Sequence, residues 1–407
     1  MTDPPADATV DPRSELPIIG IVGAGIMGSG IAQLALEAGH EVVLHDVDAA
    51  AIGRGRDRIA DGLARRAARI VDDAAVAGAA ADADAWIAER IDRLRTAEVL
   101  EQLGDEAEVV VEAALESLDL KRTIFRTLDA VAGAATILAT NTSALSVTAI
   151  AAATGHAERV VGLHFFNPAP VMRLVEVVAG ARTSAAVATA AAELVASWGR
   201  TPVRSADSPG FIVNRVNRPF TLRALRLLEA GLASVATIDA AIRDADFPLG
   251  PFELMDLTGI DVTFAASTAI WEALGRPDRL RPSPIQAERI AAGALGRKTG
   301  AGFHRYDTAG RLVGAAGAGT SDASDLTADE IRERILLPVV DEAFRARSEG
   351  VAIGEDIDIA MQLGAAHPIG PFQRAAQLGG PLAIASRLRE LAVDDPSFAP
   401  SAALVAA

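Results

Sequence analysis

The 407-residue chain contains no cysteine, which excludes disulfides, thiolate metal sites and a cysteine nucleophile. Aromatic residues make up only 4%, with a single tyrosine, so there is little surface on which nucleic-acid bases could stack. Positive charge is in deficit: 38 Lys plus Arg against 54 Asp plus Glu leave a net charge of −16. Non-specific attraction to nucleic acid or to an anionic membrane is therefore disfavoured, and a polyanionic ligand would need a local basic patch. Apolar runs long enough to span a bilayer are absent. The first residues, MTDPPADATVDPRSE, have neither the apolar stretch of a signal peptide nor the arginine-rich bias of a transit peptide. The expectation is a cytoplasmic protein with a frayed tail over residues 1–16.

What remains is globular in composition, 50% hydrophobic and 23% charged. At ~150 residues per domain the length suits two to three domains. Strand-like runs at 18–23, 41–45, 109–114, 135–140, 160–166, 173–178 and 201–207 are mostly separated by helix-length segments, which predicts a doubly wound, largely parallel α/β sheet. From Ser208 to about Tyr306 the pattern is helical. Residues 308–330 are rich in Gly, Ala, Ser, Thr and Asp and read as a linker. Helical sequence resumes at Ile331. An internal repeat then emerges, since residues 231–259 align with 350–380 around a shared Pro-x-Gly-Pro-Phe. A duplicated helical unit is expected. Its second copy loses polar residues, with Glu333 at the place of Asn214 and Gln373 at the place of Glu253, so it reads as structural.

Gly23, Gly25 and Gly28 form Gly-x-Gly-x-x-Gly, with Ile26 and Met27 inside the motif, directly between a strand and a helix. Asp46 closes the second strand. Such a loop brings backbone N–H groups at a helix N-terminus to a pyrophosphate, and the carboxylate accepts from ribose hydroxyls. A carboxylate there repels a 2′-phosphate, which favours NAD over NADP. Between Arg54 and Arg69 lie six arginines and two aspartates. They are either a solvated helix face or a site for a phosphorylated substrate such as an acyl-CoA.

Among six histidines, His164 ends a strand at the carboxyl edge, where open α/β sheets place their ligands. If the flanking strands pair antiparallel about residue 170, Glu176 falls opposite His164 and would orient the imidazole. A histidine with a carboxylate partner beside a dinucleotide suits alcohol oxidation, with the base accepting the hydroxyl proton. The bland alternatives are a satisfied core histidine and a solvent-facing glutamate. Ser143, after the strand 135–140, sits where it could bond a substrate oxygen, and Asn214 lies in the first turns of a helix begun by Asp207-Ser208-Pro209.

TNTSALSV (140–147), HFFNPAPVMRLVEVV (164–178), DSPGFIVNR (207–215), PLGPFELMDLTGID (248–261) and GRKTGAGF (296–303) resemble the L-3-hydroxyacyl-CoA dehydrogenases, including bacterial 3-hydroxybutyryl-CoA dehydrogenases, over about 18–306. The resemblance implies a Rossmann-like NAD-binding domain at 17–207, a helical domain at 208–307 and, after the linker, a second helical copy at 331–400. It implies that His164 is the base, Glu176 its partner, and Ser143 and Asn214 the groups polarising the C3 oxygen. It further implies NAD contacts from Asp46, Glu116, Lys121, Asn141, Ser143, Asn167 and Lys298, and CoA contacts from the helix after Asp46, at Arg65 and Arg69. The family's CoA-binding serine and lysine fall at Gly62 and Arg69. The implied reaction is NAD-dependent oxidation of a short-chain (S)-3-hydroxyacyl-CoA. 3-Hydroxyadipyl-CoA is equally compatible, and a non-CoA hydroxy acid of the gulonate or carnitine type is the alternative that the arginine-rich helix argues against. An NAD-sensing protein without activity would be expected to lose His164 or Glu176. Neither a metal nor a nucleic-acid or membrane partner is expected. The second helical copy suggests a monomeric pseudo-dimer in place of a homodimer.

Overall fold

The computed structural model describes residues 16–74, 79–315 and 325–407. The tail expected over 1–16 lies outside them apart from Leu16, as do residues 316–324 of the expected linker. The chain divides after Pro202 into two compact units.

The first unit is built on β1 (Ile19–Val22), β2 (Val42–His45), β3 (Leu94–Thr96), β4 (Val109–Glu112), β5 (Ile137–Thr140), β6 (Val160–Phe165), β7 (Leu174–Ala179) and β8 (Thr201–Ala206), in which the chain passes to the second unit. Their order is β3-β2-β1-β4-β5-β6-β7-β8. From β3 to β6 the strands run parallel, and β7 returns antiparallel to β6. β1, β2, β4 and β6 are buried along their whole length, as expected of parallel strands covered on both faces, whose sequences are near-continuous apolar runs. β3 was not expected, because three residues are too few to show a period of two. Helices Ile26–Glu37 and Ala49–Ala74 pack together. In the second of these, Ile59, Leu63 and Ala67 recur every four residues and are at most 3% exposed, one apolar stripe on an otherwise polar helix.

The second unit is helical, and the repeat is built twice in the same way. Asp239, on helix Val235–Arg243, accepts from the N–H of Phe252 at 2.9 Å. Asp358, on helix Gly354–Ala365, accepts from the N–H of Phe372 at 2.8 Å. Each carboxylate braces the first turn of the next helix, Pro251–Thr258 or Pro371–Gln377. A Cβ on Gly250 or Gly370 would come within 2.2 Å of that aspartate, which is why both copies keep glycine there. The copies are joined by a buried cluster in which Glu342 accepts from Arg215 at 3.1 Å and Arg279 at 2.7 Å.

The described start of the expected linker, residues 308–315, is structured. It contains β10 (Leu312–Ala315), paired antiparallel with β9 (His304–Tyr306). The carboxylate of Asp307 accepts from the N–H groups of Ala309 and Arg311 at 2.9 and 2.8 Å and so closes the turn. Composition hid this ribbon because Gly and Ala dominate around it.

Candidate active site

The glycine loop joins β1 to helix Ile26–Glu37. Gly23 has φ +103°, and a Cβ there would lie 2.7 Å from the carbonyl oxygen of Ala113. A Cβ on Gly28 would lie 1.8 Å from the carbonyl of Gly23, so neither position admits a side chain. Gly25 has nothing within 4 Å of that position, and it caps the helix without any side-chain hydrogen bond. The helix N-terminus thus faces open space with its N–H groups and positive dipole end, which suits a pyrophosphate. Ile26, exposed by 66%, and the half-buried Met27 follow. Asp46 accepts from the N–H of Ala24 at 2.8 Å and of Asp48 at 3.0 Å, which fixes its carboxylate beside the loop. These residues fit NAD: a cradle without Cβ atoms and a carboxylate placed for ribose hydroxyls.

Behind the loop lies a group that the sequence alone did not single out. Glu112, wholly buried at the end of β4, accepts from Lys121 at 2.7 and 2.9 Å, from Thr140 at 2.7 Å and from the N–H of Ala114 at 2.7 Å. A carboxylate ending an apolar strand is the signal that could have found it. Lys121 is 1% exposed and also reaches Glu116 at 3.4 Å. Its ammonium is thus paired with two carboxylates, Glu112 and Glu116. Burial of Glu116 opposes its ionisation. Hydrogen bonds from Thr142 and from the N–H groups of Ser143 and Ala144, together with Lys121, outweigh that and lower its pKa. Glu116 thereby gathers the turn that carries Ser143, whose N–H lies 3.0 Å away. Asn141 bonds the N–H of Phe165 through its Oδ1 at 2.9 Å, tying the ends of β5 and β6 together.

At the end of β6, His164 faces Glu176 of β7 in the antiparallel register. Nδ1 and Oε2 are 2.6 Å apart, with the histidine 6% exposed and the glutamate fully buried. The ring of Phe166 packs against the imidazole at 4.5 Å between centroids. Asn167 is exposed at the start of the turn that follows.

Arg65 and Arg69 stand on a cleft of about 320 Å³ together with Arg58, Arg66, Gln33 and Glu37, closed on one side by Pro168 to Val171. Here the structure explains Gly62. A Cβ on it would lie 1.9 Å from Oε1 of Gln33, so the Gln33 side chain takes the space of a serine at position 62.

In the second unit, Asn214 lies half-buried in the short helix Val213–Val216. Lys298 pairs with Asp261 at 2.6 and 2.7 Å, and its hydrogen bond lowers the pKa of that aspartate. Lys121 and Lys298 are the chain's only two lysines. Asp239, Glu253 and His304 also converge, but they are engaged with one another's surroundings: His304 with Asp239 at 2.7 Å, Gly250 N–H with Glu253 at 2.8 Å, and Arg243 with Glu253.

Residues 18–208 match the model of the 3-hydroxyacyl-CoA dehydrogenase NAD binding domain, and residues 210–306 and 331–405 match that of the family's C-terminal domain. The chain belongs to the 3-hydroxyacyl-CoA dehydrogenase family. NAD is its cofactor, and it is an oxidoreductase. The dehydrogenase is 36% identical to the 3-hydroxyadipyl-CoA dehydrogenase of Escherichia coli, covering 89% of this chain and 90% of that one. It is 39% identical to the 3-hydroxybutyryl-CoA dehydrogenase of Bradyrhizobium diazoefficiens, over 71% and 94%. A crystal structure of a 3-hydroxybutyryl-CoA dehydrogenase from Escherichia coli superposes with a TM-score of 0.83 at 33% identity, covering 96% of this chain and 98% of the other. No helix among the described residues is long and apolar enough to cross a membrane.

Proposed function

We propose that the dehydrogenase oxidises (S)-3-hydroxyacyl-CoA esters of short acyl chain to 3-oxoacyl-CoA, of the 3-hydroxybutyryl kind or the six-carbon dicarboxylic kind that the names of two relatives carry. The observation that carries this reading is the buried His164–Glu176 pair at 2.6 Å, at the carboxyl edge of β6. With Nδ1–H donated to Glu176, the lone pair belongs to Nε2, which accepts the C3 hydroxyl proton while Glu176 stabilises the resulting imidazolium. Bound NAD supplies the acceptor for the hydride leaving C3. Ser143, on the turn gathered by Glu116, and Asn214 of the second unit bond the C3 oxygen in this reading. Asp46 and the Gly23–Gly28 loop hold the cofactor with Glu116, Lys121, Asn141, Ser143, Asn167 and Lys298. Arg65 and Arg69 bind CoA phosphates, joined by Arg58 and Arg66 in the same cleft. A free hydroxy acid would leave that arginine cluster without an anion.

The second helical copy, in the same proposal, stands in for a partner subunit, so light scattering after size exclusion should read the mass of one chain. A dimer would overturn that part alone. NADH oxidation with acetoacetyl-CoA, beside free acetoacetate and with NADPH in place of NADH, tests the whole. Fast turnover of the CoA ester with NADH is expected, and turnover of the free acid alone would sink it.

A further inference from the structure

Arg218 opens helix Arg218–Glu229 and is only 7% exposed. Other arginines of the second unit face carboxylates: the buried Arg215 meets Glu342 at 3.1 Å, the half-buried Arg279 the same glutamate at 2.7 Å, and the buried Arg223 meets Asp395 at 3.4 Å. Arg218 has no carboxylate among the described residues. Its Nε donates to the carbonyl oxygen of Asn214 at 3.2 Å and its Nη1 to Oγ of Ser267 at 3.3 Å. The Ser267 hydroxyl itself donates to the carbonyl of Thr263 at 2.7 Å, which turns its lone pairs toward the guanidinium. Both partners are neutral, and Nη2 is left uncommitted. Burial lowers the pKa of Arg218 to about 10, so the group stays cationic at neutral pH. An uncompensated buried cation is costly, and a ligand that brings the missing negative charge removes the cost.

The place of Arg218 says which part of a ligand that is. Asn214 and Arg218 are four residues apart on nearly continuous helix, so their side chains are neighbours, with Cβ atoms about 5–6 Å apart. On the reading that Asn214 bonds the C3 oxygen, Arg218 stands about one helical turn from that oxygen. The CoA phosphates already have the arginine cleft of the first unit. A carboxylate about three carbons past C3 comes within reach of a side chain one turn away, and the planar fork of a guanidinium matches it in two parallel hydrogen bonds.

We propose that Arg218, oriented by Ser267 and the Asn214 carbonyl, recognises a terminal carboxylate on the acyl chain, so that the preferred substrates are CoA esters of 3-hydroxy dicarboxylic acids. The proposal rests on the dehydrogenase reading above. The test compares 3-hydroxyadipyl-CoA with 3-hydroxyhexanoyl-CoA, which share a chain length and differ in the terminal carboxylate. Their ratio of kcat/KM is measured in the wild type, Arg218→Gln and Arg218→Lys, with acetoacetyl-CoA reduction as a separate assay of the chemistry. The wild type should favour the dicarboxylic ester by about 10- to 100-fold, the worth of one charged hydrogen-bonded contact. Arg218→Gln should collapse that ratio, chiefly through KM for the dicarboxylic ester, and Arg218→Lys should fall between. Equal use of both esters by the wild type would overturn the assignment of Arg218 without any variant, as would an unchanged ratio in Arg218→Gln. If the wild type turned over neither ester nor acetoacetyl-CoA, the dehydrogenase reading would be what fails.

Discussion

His164 and Glu176 illustrate how much two side chains can do once a hairpin places them opposite each other. Replacing His164 by Gln keeps the volume and removes the base, so turnover should fall ~100-fold or more while NADH binding, followed by fluorescence titration, stays close to the parent. Unimpaired turnover would remove His164 from the chemistry. Glu176→Gln should cost less, about 10-fold, because an amide oxygen can still accept from Nδ1 but no longer offsets the imidazolium charge. This pair was legible in the sequence, since a hairpin centred on residue 170 puts 164 against 176 by symmetry. Arg218 was not. Its sequence neighbours resemble any basic helix start, and the lack of a carboxylate around it exists only in three dimensions. For Lys121, which the resemblance named, only the sealing of its ammonium by Glu112 and Glu116 needed the structure.

At the scale of elements, the contact between helices Ile26–Glu37 and Ala49–Ala74 sets the width of the arginine cleft. Gly62→Ser should overpack that contact against Gln33 and destabilise the protein by about 1–3 kcal/mol, read as a lower thermal midpoint. Gln33→Ala combined with Gly62→Ser should recover most of the loss. Additive losses in the double variant would show that the two positions do not share a space. Strands with four to six residues and apolar runs were visible from composition and spacing. β3, β9 and β10 were not, because strands of three or four residues draw their definition from partners and turns, here the Asp307 turn for the ribbon.

At the scale of the molecule, the duplicated helical copies meet at His367, 5% exposed, with Nε2 2.9 Å from Oδ1 of Asn217 and its ring against Phe220 and Phe247. Burial, aided by the charge of Arg374, pushes its pKa from 6.5 down to about 3. Between those values the unfolded chain binds a proton that the folded chain refuses. Stability is therefore intact above pH ~6.5 and falls as the pH drops toward 3, by about 1 kcal/mol per unit. Thermal midpoints between pH 7 and 4 should decline less steeply in His367→Gln, and identical slopes would assign the acid sensitivity elsewhere. The duplication itself was readable from the two Pro-x-Gly-Pro-Phe segments; the histidine that fills the seam between copies was not, since its neighbours lie about 120 to 150 residues away. The scarcity of lysine has a consequence of another kind. Lys121 is sealed, so amine-directed reagents find one reactive side chain in the folded enzyme, Lys298, whose side chain is 46% exposed beside Asp261. Acylation of Lys298, told apart from that of the α-amine by peptide mapping, therefore proceeds at a rate set by what covers that position.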